Sequence, residues 1–216
     1  MGHIIAMAGK GGTGKTTIAA LIIRLLKEKK LGSILGVDAD PNSNLAEALG
    51  LKVKRTVGEI LDNISANPDK VPAGMSKERF IEYEVQTAVE EGEGFDLLTM
   101  GRPEGPGCYC YVNNVLRNVV SRLIGDYDYI VIDNEAGLEH LSRRTSRSAD
   151  ALIVVSDATA VGLRAARRII GLVEELKIKI KKEFLIINRF GKKIGAEKIK
   201  ELGLSYLGEI PFDRAI

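Results

Sequence analysis

The chain has 216 residues, 45% hydrophobic and 28% charged, with a formal net charge of +2. That composition supports one sizeable core in a single domain, 1–216, and gives no electrostatic case for a nucleic-acid binder. The lack of Trp and an aromatic content of 5% also argue against base-stacking platforms.

No apolar run is long enough to span a bilayer. The N-terminal MGHIIAMAGKGG has neither the basic region nor the long apolar stretch of a signal peptide. A cytoplasmic protein without membrane association is expected, with its thiols reduced and free for metal.

Strand-length apolar runs alternate with helix-period segments along the chain. Residues 3–8 (HIIAMA) are a buried strand. Residues 14–30 form a helix with Ile18, Leu21, Ile22, Leu25 and Leu26 on one face. Strands follow at 33–38 and 95–101. Between them, 57–94 is the least strand-like stretch, with helices on either side of the NPDKVPAG turn, and reads as a helical insertion at a sheet edge. A helix over 111–125 precedes strands at 127–133 and 150–156. A helix from about 159 to 176 and strands at 183–190 and 206–211 close the series. Strands without polar alternation need cover on both faces. With helices between them, the expected fold is α/β, a doubly wound and mostly parallel sheet. The chain stops at PFDRAI, directly after a strand, where such a sheet normally adds another helix; the expectation is either that a C-terminal helix is missing from this sequence or that the fold simply lacks it.

GKGGTGKT (9–16) follows the first strand and opens the first helix, and it matches a phosphate loop. Backbone N–H groups of Gly9, Gly11, Gly12, Thr13 and Gly14 would point at phosphate oxygens beside a helix N-terminus. Lys15 would bridge the terminal phosphates, the Thr16 hydroxyl would ligate Mg²⁺, and Thr17 continues the turn. The glycine triplet Gly9, Gly11 and Gly14 also fits a dinucleotide loop, with Asp38 near the place of a ribose-binding acid. A Lys-Thr pair after the last glycine has no role in that alternative. VDADPNSNL (37–45) leaves the second strand at the end where open α/β sheets bind ligands, which turns Asp38 and Asp40 toward the phosphate site. The same stretch also suits a capped helix start. YIVID (129–133) ends in Asp133, as a magnesium-supporting acid after a strand should, and the Gly137 N–H could sense a terminal phosphate. Glu135, Glu139 and His140 lie nearby, and a lone histidine at a helix start is more often a capping or surface residue.

The two cysteines, Cys108 and Cys110, stand in GPGCYCY. Two thiolates are half of a tetrahedral site for zinc or nickel. His3 and His140 lack ligand spacing to the pair, and a disulfide across one residue would be strained. A two-fold dimer would bring two pairs together as Cys₄; two unremarkable free cysteines are the plain alternative.

KGGTGKT resembles the deviant phosphate loop (deviant Walker A) of one class of P-loop NTPase, which includes the nitrogenase iron protein and the chromosome-partition and division-site ATPases. The resemblance implies that Lys10 reaches across a homodimer to the partner's ATP, that Asp40 positions or activates the attacking water, and that Asp38 supports Mg²⁺ through its water shell. INRF (187–190) and IPFD (210–213) resemble that class's adenine elements, which implies base contacts from Asn188, Arg189, Pro211 and Asp213. GRPEGPGCYCYVNNVLR together with DNEAGLEHLSRR resembles the nickel-insertion accessory ATPases of carbon monoxide dehydrogenase. That family implies an ATP-hydrolysing dimer that binds Ni²⁺ or Zn²⁺ at its interface and serves apo carbon monoxide dehydrogenase. The alternatives are an iron–sulfur redox ATPase like the nitrogenase iron protein, or a partition or positioning ATPase.

Overall fold

The computed structural model describes residues 2–101, 121–123, 125–135, 148–190 and 196–213. The strands among them are β1 (His3–Gly9), β2 (Ile34–Ala39), β3 (Glu90–Gly92), β4 (Phe95–Thr99), β5 (Tyr129–Asn134), β6 (Ser148–Ser156), β7 (Lys179–Phe190) and β8 (Ser205–Pro211). They form one sheet in the order β3-β4-β2-β5-β1-β6-β7-β8. Neighbours are parallel throughout except β3 against β4. The helices are α1 (Lys15–Glu28), α2 (Leu45–Leu49), α3 (Val57–Ala66), α4 (Lys77–Thr87), α5 (Ala160–Glu175) and α6 (Ala196–Lys200). This is the doubly wound, mostly parallel α/β architecture that the alternation of patterns predicts.

Both faces of the central strands are covered, which is why those strands carry continuous apolar runs, whereas the edge strand β8 is largely exposed. One core joins Met7, Val131, Leu97 and Val155 to Ile18 and Ile23 of α1 and Leu45 of α2. The other joins Ala6, Ile132, Leu98 and Val154 to α3, α4 and α5 through Ile60, Ile81 and Ile169. All six residues of β2 are buried. From β1 the chain passes outward to β2 and β4, returns to place β5 between β2 and β1, then turns the other way to β6, β7 and β8. That reversal opens a crevice at the C-terminal strand ends beside β1, where such sheets bind ligands.

The helices of the insertion carry the signals that start them. Thr56 caps α3 in a reciprocal capping box with Glu59: the Glu59 N–H donates to Thr56 Oγ1 at 3.2 Å and the Thr56 N–H to Glu59 Oε2 at 2.7 Å. Ser76 caps α4 through the Arg79 N–H.

Three details differ from the sequence reading. The second helix of the 57–94 insertion stops at Thr87, and Glu90–Gly92, read as part of that helical stretch, pairs antiparallel with β4. The cause is tertiary: Glu90 is buried and accepts from the Lys54 N–H at 2.9 Å and Lys54 Nζ at 2.8 Å, while Gly94 turns the chain at φ 79°. Leu25, expected on the apolar face of α1, is 52% exposed. β7 begins at Lys179, four residues before the apolar run, because the KIKI alternation pairs with the start of β6. The helix start read at the Asp-Pro turn is present, as the short helix α2. Of the helix expected over 111–125, residues 121–123 and 125 are described and are helical.

Candidate nucleotide-binding site

β1 runs into the loop Gly9–Gly14, and α1 begins at Lys15. Gly12 and Gly14 have left-handed backbones, φ 78° and φ 90°, which a Cβ would strain. A Cβ on Gly14 would also run into Asn188 Nδ2. Thr13 ties the loop shut, its N–H and hydroxyl both donating to Lys10 C=O at 3.3 and 2.8 Å. No side chain caps α1. Within α1 the Ile18 N–H is the first to bond back, to Gly14 C=O at 3.0 Å, so the N–H groups of the first helical turn can meet an anion. Lys10 is exposed at the loop tip, whereas Lys15 is buried.

The strand order sets Asp38 and Asp133 side by side, because they are register partners on β2 and β5. Asp38 Oδ2 accepts from the Leu45 N–H at 2.9 Å and Oδ1 from the Asp40 N–H at 3.2 Å. Burial pushes its pKa up to about 7 against those two bonds, and the neighbouring Asp133 adds to the rise. Burial likewise raises Asp133 to about 6, opposed by the Thr16 hydroxyl and the Lys15 ammonium. Neither Asp133 oxygen makes a hydrogen bond of full geometry.

Among the described residues, the buried side-chain polar atoms without a partner are Thr99 Oγ1, both Asp133 oxygens and Asn134 Oδ1. All lie at the C-terminal ends of β4 and β5: Asp133 and Asn134 on the strand beside β1, and Thr99 opposite Asp38 on β2. Buried polar groups are normally satisfied, so this concentration marks a place shaped for a ligand. An orphaned carboxylate beside a hydroxyl fits Mg²⁺, which keeps most of its water and takes few protein ligands. Thr16 and Asp133 would hold it and Asp38 would support its water shell. Bound there, the ion would neutralise phosphate charge. No group of three or more His, Cys, Asp or Glu among the described residues is arranged to hold a metal ion.

Asp40 is half-buried, and its Oδ1 accepts from both the Asn42 N–H and Asn42 Nδ2 at 2.9 Å. The turn thus acts as its own cap, and Asp40 keeps a second oxygen for other partners.

Residues from three distant segments meet in a cavity of about 490 Å³. Thr17, Ile18 and Leu21 of α1 face Asn188 and Arg189 at the end of β7, and Ile210, Pro211, Phe212 and Asp213 at the end of β8. All the expected adenine elements line this one cavity. Asn188 has a structural task as well: its Nδ2 donates to Thr13 C=O at 2.8 Å and its Oδ1 accepts from the Arg189 N–H at 2.9 Å. Each amide atom retains one further hydrogen-bonding position. Arg189 is exposed, with φ 54° at the irregularity between β7 and β8.

Sequence reasoning missed Thr99, Asn134 and the apolar walls Leu21 and Phe212. Asn134 directly follows Asp133 and anchors β5 to β1 by donating from Nδ2 to Met7 C=O at 2.8 Å; only the fold shows that its Oδ1 lacks a donor. Cys108, Cys110, Gly137, Glu139 and His140 lie outside the described residues. Glu135 is exposed at the end of β5.

A glycine-rich loop between β1 and α1, a buried lysine and paired acids on adjacent strand ends define a phosphate-loop nucleotide-binding protein. The chain belongs to the CbiA family, the CobQ/CobB/MinD/ParA nucleotide-binding domain, whose model matches residues 4–216. It is similar to an uncharacterized ATP-binding protein of Methanocaldococcus jannaschii, 46% identical over 99% of this chain and 86% of that one. It is 30% identical to the carbon monoxide dehydrogenase accessory protein CooC of Rhodospirillum rubrum, over 98% of this chain and 84% of CooC. It is 32% identical to the septum site-determining protein MinD of Thermotoga maritima, over 98% of this chain and 76% of MinD. Among solved structures, MinD complexed with Mg-ADP from Pyrococcus horikoshii superposes with a TM-score of 0.72 at 25% identity, covering 100% of this chain and 84% of that one. No helix among the described residues is long and apolar enough to cross a membrane.

Proposed function

We propose that the protein is a Mg²⁺-dependent ATPase that dimerises around its nucleotide and acts as a metallochaperone. It would carry Ni²⁺ or Zn²⁺ on Cys108 and Cys110 and help insert nickel into apo carbon monoxide dehydrogenase. The observation that carries the nucleotide half is the juxtaposition of an uncapped, glycine-rich helix start with the buried, orphaned carboxylate of Asp133. That arrangement suits a polyphosphate and its cation better than any ligand lacking either charge. Residues 9–17 cradle the phosphates, and the cavity at Asn188, Arg189, Pro211 and Asp213 takes the base. The exposure of Lys10 at the loop tip suits a lysine that acts on the nucleotide of a second copy. There it would neutralise charge on the transferred phosphoryl group, as an arginine finger does. Asp40 would position the attacking water.

The metal half rests on the Cys-x-Cys spacing and the likeness to CooC. Two thiolates per subunit become four only in a dimer, so nucleotide-driven dimerisation would control metal binding. The test is metal content and particle mass with and without ATP, in the parent and in a Cys108→Ala/Cys110→Ala variant. Nucleotide-dependent dimers that hold about one Ni²⁺ or Zn²⁺ per pair, lost in the variant, are expected. Unchanged nickel binding in the variant would sink the metal half.

The MinD likeness, at a similar identity, favours a second reading as a positioning ATPase. ATP-dependent dimers without bound metal, recruited to a surface or to DNA, would support it.

A further inference from the structure

Phe212 stands out among the residues that line the base cavity. Phe212 lies between Pro211 and Asp213 and is 64% exposed, the most exposed large hydrophobic side chain among the described residues. An aromatic ring left in water at the rim of a cavity forgoes the gain that covers most phenylalanines. The cavity lining combines polar side chains, Asn188, Arg189, Asp213 and Thr17, with apolar ones, Ile18, Leu21, Ile210 and Pro211. Polar groups at the edge and apolar surface at the faces is the pattern that a flat heteroaromatic ring requires.

We propose that Phe212 is a specificity-determining residue of this site: its ring stacks on the purine and covers it from the solvent side, selecting purine over pyrimidine nucleotides. This deepens the nucleotide reading above and rests on it. Stacking strengthens with the area of the ring, so a two-ring base gains more from Phe212 than a one-ring base. The phosphate loop cannot make that distinction, since it meets the same phosphates in every nucleotide. Recognition of the chain's own ligand is therefore divided between a phosphate cradle blind to the base and an aromatic cover sensitive to its size.

The chain contains no tryptophan, so Phe212→Trp installs a single indole reporter at the rim. ATP and ADP should quench its fluorescence, CTP should do so weakly, and inorganic tripolyphosphate, which can occupy only the phosphate loop, should not. In the full-length protein with Mg²⁺, Phe212→Ala should weaken ATP binding about five- to tenfold. It should leave tripolyphosphate affinity unchanged, and Phe212→Tyr should restore ATP binding. Since Phe212 is mostly exposed, these variants should fold as the parent does. ATP binding by Phe212→Ala equal to the parent's, or equal loss for ATP and tripolyphosphate, would overturn the stacking role while leaving the nucleotide site intact. Failure of the parent to bind either ATP or tripolyphosphate would instead overturn the nucleotide reading, and this inference with it.

Discussion

Replacing Asp133 by Asn tests the electrostatics on which the site is built. Asp133 is 1% exposed, and burial raises its carboxyl from the ordinary 3.8 to about 6. The folded chain therefore holds this proton at pH values where the unfolded chain has released it. Stability falls as pH rises from about 4 to about 6 and stays low above that. At 1.36 kcal/mol per pH unit, ionised Asp133 costs the ligand-free fold roughly 3 kcal/mol at pH 8. Asn cannot ionise, so Asp133→Asn should melt several degrees above the parent at pH 8, at roughly 2–4 °C per kcal/mol for a chain of this size. The gap should shrink as pH is lowered to 4.5. The asparagine amide is itself without a partner there, which reduces the absolute gain, so the pH dependence is the diagnostic quantity. Removing the Asp133 charge also relieves Asp38, whose pKa it helps to raise, in the same direction. The same variant should lose most of the additional melting-temperature rise that Mg-ADP gives the parent. Thermal melts of parent and variant by circular dichroism from pH 4.5 to 8, with and without Mg-ADP, supply both comparisons. A gap that does not change with pH would refute the assignment of burial as the dominant effect. A variant that still gains the parent's full Mg-ADP stabilisation would refute Asp133 as a cation-supporting group.

Gly14→Ala should abolish nucleotide binding and lower stability by roughly 1–3 kcal/mol, because the new methyl strains a left-handed residue and displaces Asn188; isothermal titration and a chemical melt check both. Asn188→Ala should cost about 1 kcal/mol of stability through the lost bond to Thr13 C=O. It should also weaken ATP more than tripolyphosphate, which direct competition binding can measure. Lys10→Ala should leave ATP binding largely intact and slow hydrolysis in a phosphate-release assay. Loss of binding instead would mean that Lys10 acts on the nucleotide of its own subunit.

Much of the site was legible because phosphate-loop chemistry is local. Gly9 to Thr17 form their cradle from consecutive residues, so spacing alone locates it, and apolar runs broken by helical periods are enough to infer a parallel sheet with two covered faces. The segments Asn188–Arg189 and Pro211–Asp213 were legible as short motifs at strand ends, although nothing local shows that they share a cavity. The hairpin at Glu90 was not legible. Its residues read as the end of a helix until Lys54, distant in sequence, neutralises the buried Glu90 carboxylate.

By itself the sequence determined the order of the parallel strands and of the longer helices, the phosphate loop and the identity of the acids, since each depends on neighbours a few residues apart. Only the tertiary structure decided that β5 lies between β2 and β1. That choice sets Asp133 against Asp38, buries both and leaves Asp133 without a donor. It likewise decided that Asn188 clasps the loop through Thr13 and that Phe212 stands at the rim of the cavity. The physical reason is one of range. Backbone geometry and periodicity act along the chain, whereas desolvation and orphaned polar groups arise only where separate strands are brought together.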